Sequence, residues 1–345
     1  MSRFALAARG IRVVSFLLGA ALLAWLIASS DVRSIISDLG RVGPGIIVIL
    51  ALEAVANAFN TLGWWFTLPV AERAGNYGRL FWARSAGNAL NESTPAASLG
   101  GEPAKIVLLR ARVSTSAAAA SLLATKVSFC SAKGIFIVLG MATVWSRLDL
   151  PRNVSFALFG AFAAIMLGIT IFAIVQISGI GSGTVRTLRR VRVPERWITR
   201  VEASMHEVDA HLNDFYRART GDLARSVASH LCAFSCGIVQ VFLLVGWLGL
   251  GFDVVAAFGI EAFAALIGLV MFAVPASVGV QEGGKVLIFT ALGLPRAAAL
   301  AVGLTFRLVS VIDIAVGFAA LALLQPKRPR SPGAADRSRV GVRAR

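Results

Sequence analysis

Two stretches of the chain, PAASLGGEPAK at residues 95–105 and PASVGVQEGGK at residues 275–285, share one pattern of proline, glycine and charge. In each, a proline is followed seven residues later by a glutamate and then, after three more, by a lysine: Pro95, Glu102 and Lys105, and Pro275, Glu282 and Lys285. A second cation follows each glutamate, Lys126 after 24 residues and Arg307 after 25. Both stretches lie between strongly apolar segments, where charge is costly, so the paired pattern indicates a built site.

The composition places both stretches in a membrane protein. Hydrophobic residues make up 57% of the 345 and charged residues 15%, with a mean hydropathy of +0.76, whereas about a quarter of a soluble domain is charged. Seven segments approach the roughly 20 apolar residues that cross a bilayer: Val13–Ser30, Pro44–Phe66, Thr115–Trp145, Phe156–Ser178, Val227–Leu250, Val254–Val274 and Ala297–Leu324. The sequence lacks the alternating pattern of barrel strands, so it predicts an all-α, polytopic helical bundle.

The net charge of +16 indicates how the chain is oriented. On a soluble protein this charge would suggest a nucleic-acid partner. Here the lysines and arginines collect before the first span, in the central polar segment and in the tail, as they do in cytoplasmic loops. We therefore expect no nucleic-acid partner and cytoplasmic N- and C-termini. Residues 326–345, rich in Pro, Gly, Ser and Arg, predict a disordered basic tail.

The sequence predicts one membrane domain at residues 1–325, made of two halves at about 10–180 and 222–325. An amphipathic cytoplasmic helix at 185–219 joins the halves, because apolar residues recur there at steps of three and four from Trp197 to Phe215. The cysteines Cys130, Cys232 and Cys236 all lie in apolar segments, so we interpret them as packing residues and predict no metal site.

Each quoted stretch predicts a re-entrant hairpin. The segments around residues 80–112 and 275–292 are short for a span, and broken helices at membrane depth are tolerated only where protein or water surrounds them. We therefore expect about eight membrane segments, counting broken ones, with an internal two-fold repeat and both charged stretches in one polar cavity. Inverted halves would bring the hairpins in from opposite faces and parallel halves from the same face. The sequence leaves both arrangements open.

The charged residues of the two stretches suit recognition of an ionic headgroup. A helix start exposes N–H groups that attract anions, and a lysine one turn later strengthens the attraction. Each glutamate can pair with its lysine or with the distant cation. The predicted substrate-binding residues are Glu102, Lys105, Lys126, Glu282, Lys285, Arg307, Glu53, Asn57 and Asn91, and the predicted structural residues are Pro95, Gly100, Gly101, Pro275, Gly279, Gly283 and Gly284. For Glu261 and Asp313, a binding role and a helix-locking role are both open.

Residues 93–110 (STPAASLGGEPAKIVLLR) and 274–287 (VPASVGVQEGGKVL) resemble the two signature stretches of the lysylphosphatidylglycerol synthetase transmembrane-domain family. This is a flippase-like membrane family of bacteria and archaea, and the resemblance covers roughly residues 10–324. Bifunctional members synthesise aminoacylated phosphatidylglycerol with a soluble C-terminal domain and move it across the membrane with this part. The chain ends about 20 residues after the last predicted span, so the resemblance implies the lipid-translocating part in the cytoplasmic membrane and not an enzyme.

We therefore predict the translocation of a lipid or lipid-linked headgroup. An anionic or phosphate-bearing headgroup would bind the cations of the two stretches, while the glutamates balance them or bind an amino group. The sequence contains no phosphate-binding G-x-x-x-x-G-K-[ST] loop, so we expect no nucleotide cofactor. Exchange down a gradient and proton coupling are both open. Two alternatives remain, an integral membrane enzyme that modifies lipid headgroups by acid–base chemistry and a membrane scaffold for a lipid-synthesis enzyme.

Overall fold

A computed structural model describes residues 32–93, 101–144, 152–191, 194–251, 253–270 and 280–324. These ranges contain twelve α-helices and no strand, so the all-α prediction is confirmed. The helices are α1 (Val32–Val42), α2 (Ile46–Thr67), α3 (Tyr77–Ser93), α4 (Gly101–Leu109), α5 (Thr115–Val144), α6 (Arg152–Ile177), α7 (Ile180–Arg190), α8 (Glu195–Arg217), α9 (Thr220–Trp247), α10 (Val254–Val270), α11 (Val280–Ala291) and α12 (Arg296–Leu324).

Five helical stretches among the described residues are long and apolar enough to cross a membrane. They are Ile36–Thr67, which runs from α1 through α2, then α5, Ser155–Ile177 in α6, α9 and α12. α6 illustrates the membrane environment, because Phe156, Leu167 and Ile174 are 66%, 61% and 56% exposed. A row of bare apolar side chains on this scale requires a lipid surface. The prediction of a multi-pass membrane protein is confirmed, while the predicted span Val13–Ser30 lies outside the described residues.

The structure describes most of the predicted span Val254–Val274, as the 17-residue helix α10 over Val254–Val270, and residues 271–274 lie outside the described residues. Ile260, Ala262 and Phe263 of α10 are fully buried among other helices. The apolar run therefore serves packing inside the protein, which hydropathy alone does not distinguish from contact with lipid.

Helices α2 and α9 pack against each other in antiparallel directions. At one end Gly45, at the start of α2, lies against the ring of Trp247 at the close of α9. At the other end Arg73, in the turn after α2, forms an ion pair with Asp222 in the first turn of α9. We call the first the α1 end of the bundle, since α1 precedes α2 there, and the second the α8 end, since α8 precedes α9 there.

Helices α3 and α4 form hairpin 1, which enters the bundle from the α8 end. Arg79, near the start of α3, donates two hydrogen bonds, of 2.9 and 2.7 Å, to the carbonyl oxygen of Leu108 near the close of α4. The open ends of the two arms are thereby fastened together. The helices are antiparallel, so the end of α3 at Ser93 and the start of α4 at Gly101 mark the tip of hairpin 1.

Helices α10 and α11 form hairpin 2, which enters from the α1 end. α10 begins beside the close of α5, where Gly259 packs on Val144. Leu300, early in α12, packs with Val286 of α11 and Leu39 of α1, so α11 has returned to the end where α10 began. The helix sets α2–α5 and α9–α12 therefore have the same order and run in opposite directions, which resolves the alternative that the sequence left open.

The two sets interlock through glycines. Gly317 of α12 lies directly against Ser85 and Ala89 of α3, and Gly140 of α5 lies against Phe258 and Ala262 of α10. A Cβ atom at either glycine would collide with these neighbours. Thus the last span of each set packs on the first arm of the other set's hairpin, which positions both hairpins in the centre of the bundle.

An ion cluster fixes the α8 end. The carboxylate of Asp222 accepts a 2.5 Å hydrogen bond from Arg73 and a 3.1 Å hydrogen bond from Arg219. The same two guanidinium groups donate to the carbonyl oxygens of Phe66 and Leu68. These carbonyls close α2 and lack helical partners of their own, so the cluster caps α2 while it joins α2 to α9.

The predicted amphipathic helix at 185–219 is divided into α7 and α8. The break precedes Pro194, because proline has no N–H and disfavours helical backbone in the residue before it. α8 buries part of the apolar face predicted between Trp197 and Phe215. Ile198, Val208, Leu212 and Phe215 are buried, whereas Trp197 is 53% exposed. Val208, Leu212 and Phe215 pack with Ala120 and Ala124 of α5.

Asp209 of α8 holds the start of α7. Its carboxylate accepts hydrogen bonds from the N–H groups of Gly181 (2.7 Å) and Ser182 (2.8 Å) and from the Ser182 hydroxyl (2.6 Å). Burial acts to raise the pKa of Asp209, but these hydrogen bonds outweigh it and hold the pKa below its ordinary value. The interaction is an N-terminal cap supplied by a neighbouring helix.

Candidate functional site

Hairpin 1 carries a compact ionic network close to its tip. Glu102 Oε1 accepts hydrogen bonds from Lys105 Nζ (3.0 Å), Lys126 Nζ (2.9 Å) and Asn91 Nδ2 (3.2 Å). Asn91 Oδ1 in turn accepts the N–H of Gly101 at 2.7 Å. Asn91 belongs to α3 and Glu102 to α4, so the amide ties the two arms together. The spacing of three residues between Glu102 and Lys105 gives the contact expected on one helix face.

This network occupies both lysines with a single carboxylate. The Lys105 side chain is only 7% exposed, that of Glu102 is 23% exposed, and that of Lys126 is 46% exposed. A buried ammonium requires an anionic partner, and Glu102 supplies it. The second oxygen of Glu102, Oε2, is buried without a hydrogen-bond partner among the described residues.

Hairpin 2 presents Lys285 in different surroundings. Lys285 is buried, and its ammonium nitrogen lies 4.9 Å from the centroid of the Phe306 ring, a cation–π contact. Gly284 beside it faces the side chain of Ile267 on α10. Glu282 lies within α11, but its side chain is outside the described part of the structure, so its predicted pairing with Lys285 or Arg307 stays a prediction.

Three cavities with shared walls lie between the hairpins. One of about 340 Å³ is lined by Lys285 of hairpin 2, and one of about 280 Å³ by Glu102, Lys105 and Lys126 at hairpin 1. A third, of about 560 Å³, lies between them. Glu92 lines all three. The charged residues of the two hairpins therefore line three adjoining cavities with shared lining residues, here called the polar region.

The charges of this region balance in number but not in position. Among the described side chains, the combined lining has five carboxylates and five cations: Glu53, Glu92, Glu102, Glu261 and Asp313, and Arg84, Lys105, Lys126, Lys133 and Lys285. At hairpin 1, three cations face two carboxylates. At hairpin 2, two lysines face four carboxylates. The region is therefore cationic towards hairpin 1 and anionic towards hairpin 2.

A chain of amide hydrogen bonds crosses the middle cavity. Arg84 Nη1 donates to Asn57 Oδ1 at 2.6 Å, and Asn57 Nδ2 donates to Asp313 Oδ2 at 3.3 Å. Gln240 Nε2 donates to Glu53 Oε2 at 3.3 Å. Neutral amides thus hold these charged groups in place and leave the guanidinium and the carboxylates facing the cavity.

The two residues whose roles the sequence left open lie in this region. Asp313 accepts the Asn57 hydrogen bond between α2 and α12 and also lines two cavities. Its position therefore suits both roles, joining the two helices and contacting a ligand in the cavities. Glu261 lies against Gly237 of α9 and lines the same two cavities. Among the described residues, no group of three His, Cys, Asp or Glu side chains is arranged to hold a metal ion.

The structure brings together most of the predicted binding residues that it describes. Glu102, Lys105, Lys126 and Asn91 meet at hairpin 1, while Glu53, Asn57 and Lys285 line the adjoining cavities. Arg307 is half-buried in α12 and interacts electrostatically with Glu92. Of the predicted structural residues, Gly101 packs against Gly87 and leaves no space for a side chain, and Gly283 and Gly284 lie in α11. Pro95, Gly100, Pro275 and Gly279 lie outside the described residues.

Sequence reasoning missed Arg84. It stands in the third helix, within the run FWARSAG, and its guanidinium lines two of the three cavities. The available signal was an ionisable residue among apolar and small ones next to a predicted re-entrant segment, which by itself indicates a functional position. The paired stretches drew attention to the tips of the hairpins, whereas Arg84 lies on an arm.

Comparison with known proteins gives one family and one curated relative. The family model described as "Lysylphosphatidylglycerol synthase TM region" matches residues 12–317. A protein named "UPF0104 membrane protein" from Methanothermobacter thermautotrophicus is 25% identical over 300 residues, which cover 83% of this chain and 88% of that protein. No solved structure matches the chain.

Proposed function

The chain belongs to the lysylphosphatidylglycerol synthase transmembrane-region family, and from this premise we propose that it moves a lipid, or a lipid-linked headgroup, across the membrane. The headgroup enters the polar region between the hairpins and the acyl chains stay in the bilayer. The chain acts as a translocator and not as an enzyme.

The observation that carries this proposal is the set of adjoining cavities, with shared ionisable lining, inside a membrane bundle. An ionic headgroup costs several kcal/mol to bring into hydrocarbon, and a passage with five carboxylates and five cations replaces the water that it leaves. A passage lined only by apolar side chains would suit the lipid tails instead.

The inverted arrangement supplies a route from each side. Hairpin 1 comes from the α8 end and hairpin 2 from the α1 end, so movement of either hairpin opens the shared region towards a different membrane face. Many transporters use opposed repeats around one fixed site in this way. We place the α8 end in the cytoplasm, because the arginine-rich helix α7 lies next to it.

A reconstitution assay tests the proposal. The protein is placed in vesicles that carry a fluorescent phospholipid, and a membrane-impermeant reductant quenches the label in the outer leaflet. Without translocation about half of the signal is protected, because label in the inner leaflet is out of reach. We expect the wild-type protein to remove this protected fraction and the double variant Glu282→Gln, Arg307→Ala to retain it.

The matched control is Arg217→Ala, which removes an exposed arginine at the close of α8 and should leave translocation unchanged. If the inner-leaflet label stays protected in the presence of the wild-type protein, for every phospholipid tested, the proposal is refuted. Analysis of the vesicle lipids afterwards covers the enzymatic alternative, since a new lipid species would identify a headgroup-modifying enzyme.

A further inference from the structure

Three arginines lie on or just before the first arm of hairpin 1, and they differ in how their hydrogen bonds are used. Arg73 pairs with Asp222 and caps α2. Arg79 uses Nε and Nη2 on the Leu108 carbonyl. Among the described residues, Arg84 makes a single hydrogen bond, from Nη1 to Asn57. The first two are committed to structure, whereas most of the donors of the third are available.

The surroundings of Arg84 do not satisfy its charge by direct contact. A guanidinium carries five N–H donors. Glu53, Asp313 and Glu102 attract Arg84 electrostatically, yet no carboxylate of the described residues lies within the 4.0 Å of an ion pair with it. Arg84 lines the middle cavity and the cavity at hairpin 1, so space that a ligand can occupy lies beside its side chain.

The two lysines at hairpin 1 are less available to a ligand than their number suggests. Lys105 and Lys126 both donate to Glu102 Oε1, so moving either onto a ligand would weaken the pair that compensates the buried charge. The described lining of the cavity at hairpin 1 has one cation more than it has carboxylates, and among the described residues Arg84 is the cation there without an ion-pair partner. The attraction for an anion is therefore centred on Arg84, on the side that faces the two lysines.

From these contacts we infer that Arg84 is the principal ligand for the phosphodiester of the translocated lipid. The inference rests on the proposed function and names the chemical group that the site recognises. A guanidinium presents two parallel N–H groups to two phosphate oxygens, which an ammonium does not reproduce. The amide of Asn57 holds Nη1, and the carboxylates on the other side of Arg84 keep the headgroup phosphate on the hairpin 1 side.

A binding experiment tests this inference separately from transport. Purified protein in detergent is titrated with phosphatidylglycerol, phosphatidylethanolamine, a diacylglycerol with the same acyl chains, and inorganic phosphate, with thermal stabilisation as the readout. We expect both phospholipids to stabilise the wild-type protein and the diacylglycerol to have no effect. Arg84→Gln should weaken phospholipid binding roughly tenfold or more, and Arg84→Lys should give an intermediate loss, because it keeps the charge without the paired donors.

The control is Arg217→Gln, which should bind as wild type. Melting of each variant without lipid shows whether it starts from the wild-type fold. Arg84→Lys, which keeps the charge, provides a second variant if Arg84→Gln does not fold. If inorganic phosphate competes with phospholipid for the wild-type protein but not for Arg84→Gln, this result would support recognition of the phosphate group. Stabilisation by inorganic phosphate without any by phospholipid would overturn the lipid assignment.

Two further outcomes would overturn the inference: diacylglycerol that stabilises as well as the phospholipids, or Arg84→Gln that binds them with wild-type affinity. Normal translocation by Arg84→Gln would remove Arg84 from the site but leave the proposed function intact. Absence of translocation by the wild-type protein would remove the proposed function itself.

Discussion

Hairpin 1 and hairpin 2 share one plan and carry opposite charge. Each enters between two spans, from opposite ends of the bundle, and packs its first arm on the last span of the other set. The eighth residue of that arm is Arg84 in α3 and Glu261 in α10. Both line the middle cavity. The comparison teaches that the backbone plan is repeated while the distribution of charged residues is not, and this difference gives the set of cavities a cationic and an anionic end.

The hairpins also differ in how their arms are joined. In hairpin 1 the arms touch through backbone, with Gly101 against Gly87, and through the Asn91 amide. In hairpin 2 the arms meet where Gly284 faces side-chain atoms of Ile267 and not backbone. Contacts of backbone with backbone leave little room for adjustment, so hairpin 1 is the more rigid of the two where their arms are described.

The opposite entry of the hairpins predicts an all-or-none difference in labelling. In a protein whose three cysteines are replaced by serine, Ala111→Cys lies in the exposed turn after hairpin 1, and Arg296→Cys lies just after hairpin 2. A membrane-impermeant thiol reagent added to sealed vesicles of known orientation should label these two positions from opposite faces. Labelling of both from one face would contradict the inverted arrangement.

The ionic network of hairpin 1 predicts a large loss of stability on removal of its carboxylate. Glu102→Gln leaves the buried Lys105 without an anion, which costs about 3–5 kcal/mol in comparable buried pairs. Lys105→Met in the same chain should recover much of the loss, because the unpaired charge is gone. Unfolding of the two single variants and the double variant measures the coupling, and simple additivity would mean that the contact has no energetic role.

The difference in arm packing predicts unequal effects of one added methyl group. Gly101→Ala places a Cβ against the Gly87 carbonyl oxygen, whereas Gly284→Ala places one 3.1 Å from the Ile267 side chain, which can move. We expect the first to destabilise by about 1–3 kcal/mol or more and the second by clearly less. The melting temperatures of the two purified variants provide the comparison, and equal shifts would refute the stated difference in rigidity.

The smallest effect lies outside both hairpins, at Asp209. Because its pKa in the folded protein is lowered, the carboxylate contributes stability above its unfolded pKa of about 3.9, and this contribution is lost as the pH falls below that value. Asp209→Ala should loosen the start of α7 by about 1 kcal/mol and abolish this acid dependence. Hydrogen exchange of the α7 amides is the measurement, and the hairpin amides, which should not respond, serve as the internal reference.

Much of the site could be predicted from the sequence because charge in an apolar context is conspicuous. Glu102, Lys105 and Lys126 were predicted to interact and do so. Arg84 was missed because it has no counterpart in the paired pattern. The break before Pro194 was missed because the regular spacing of apolar residues was given more weight than one proline. The burial of Ile260, Ala262 and Phe263 in α10 could not be predicted, since hydropathy records how apolar a segment is and not which surface it meets.

The sequence by itself determined the all-α membrane class, most of the spans and the two charged hairpins, because burial in lipid imposes composition and length on each segment separately. Only the tertiary structure decided that the hairpins enter from opposite ends, that the cavities beside them share lining residues and that the cationic excess falls on Arg84. Those properties depend on contacts between residues more than 100 positions apart, such as Arg73 with Asp222 and Asn57 with Asp313, and no local pattern records them.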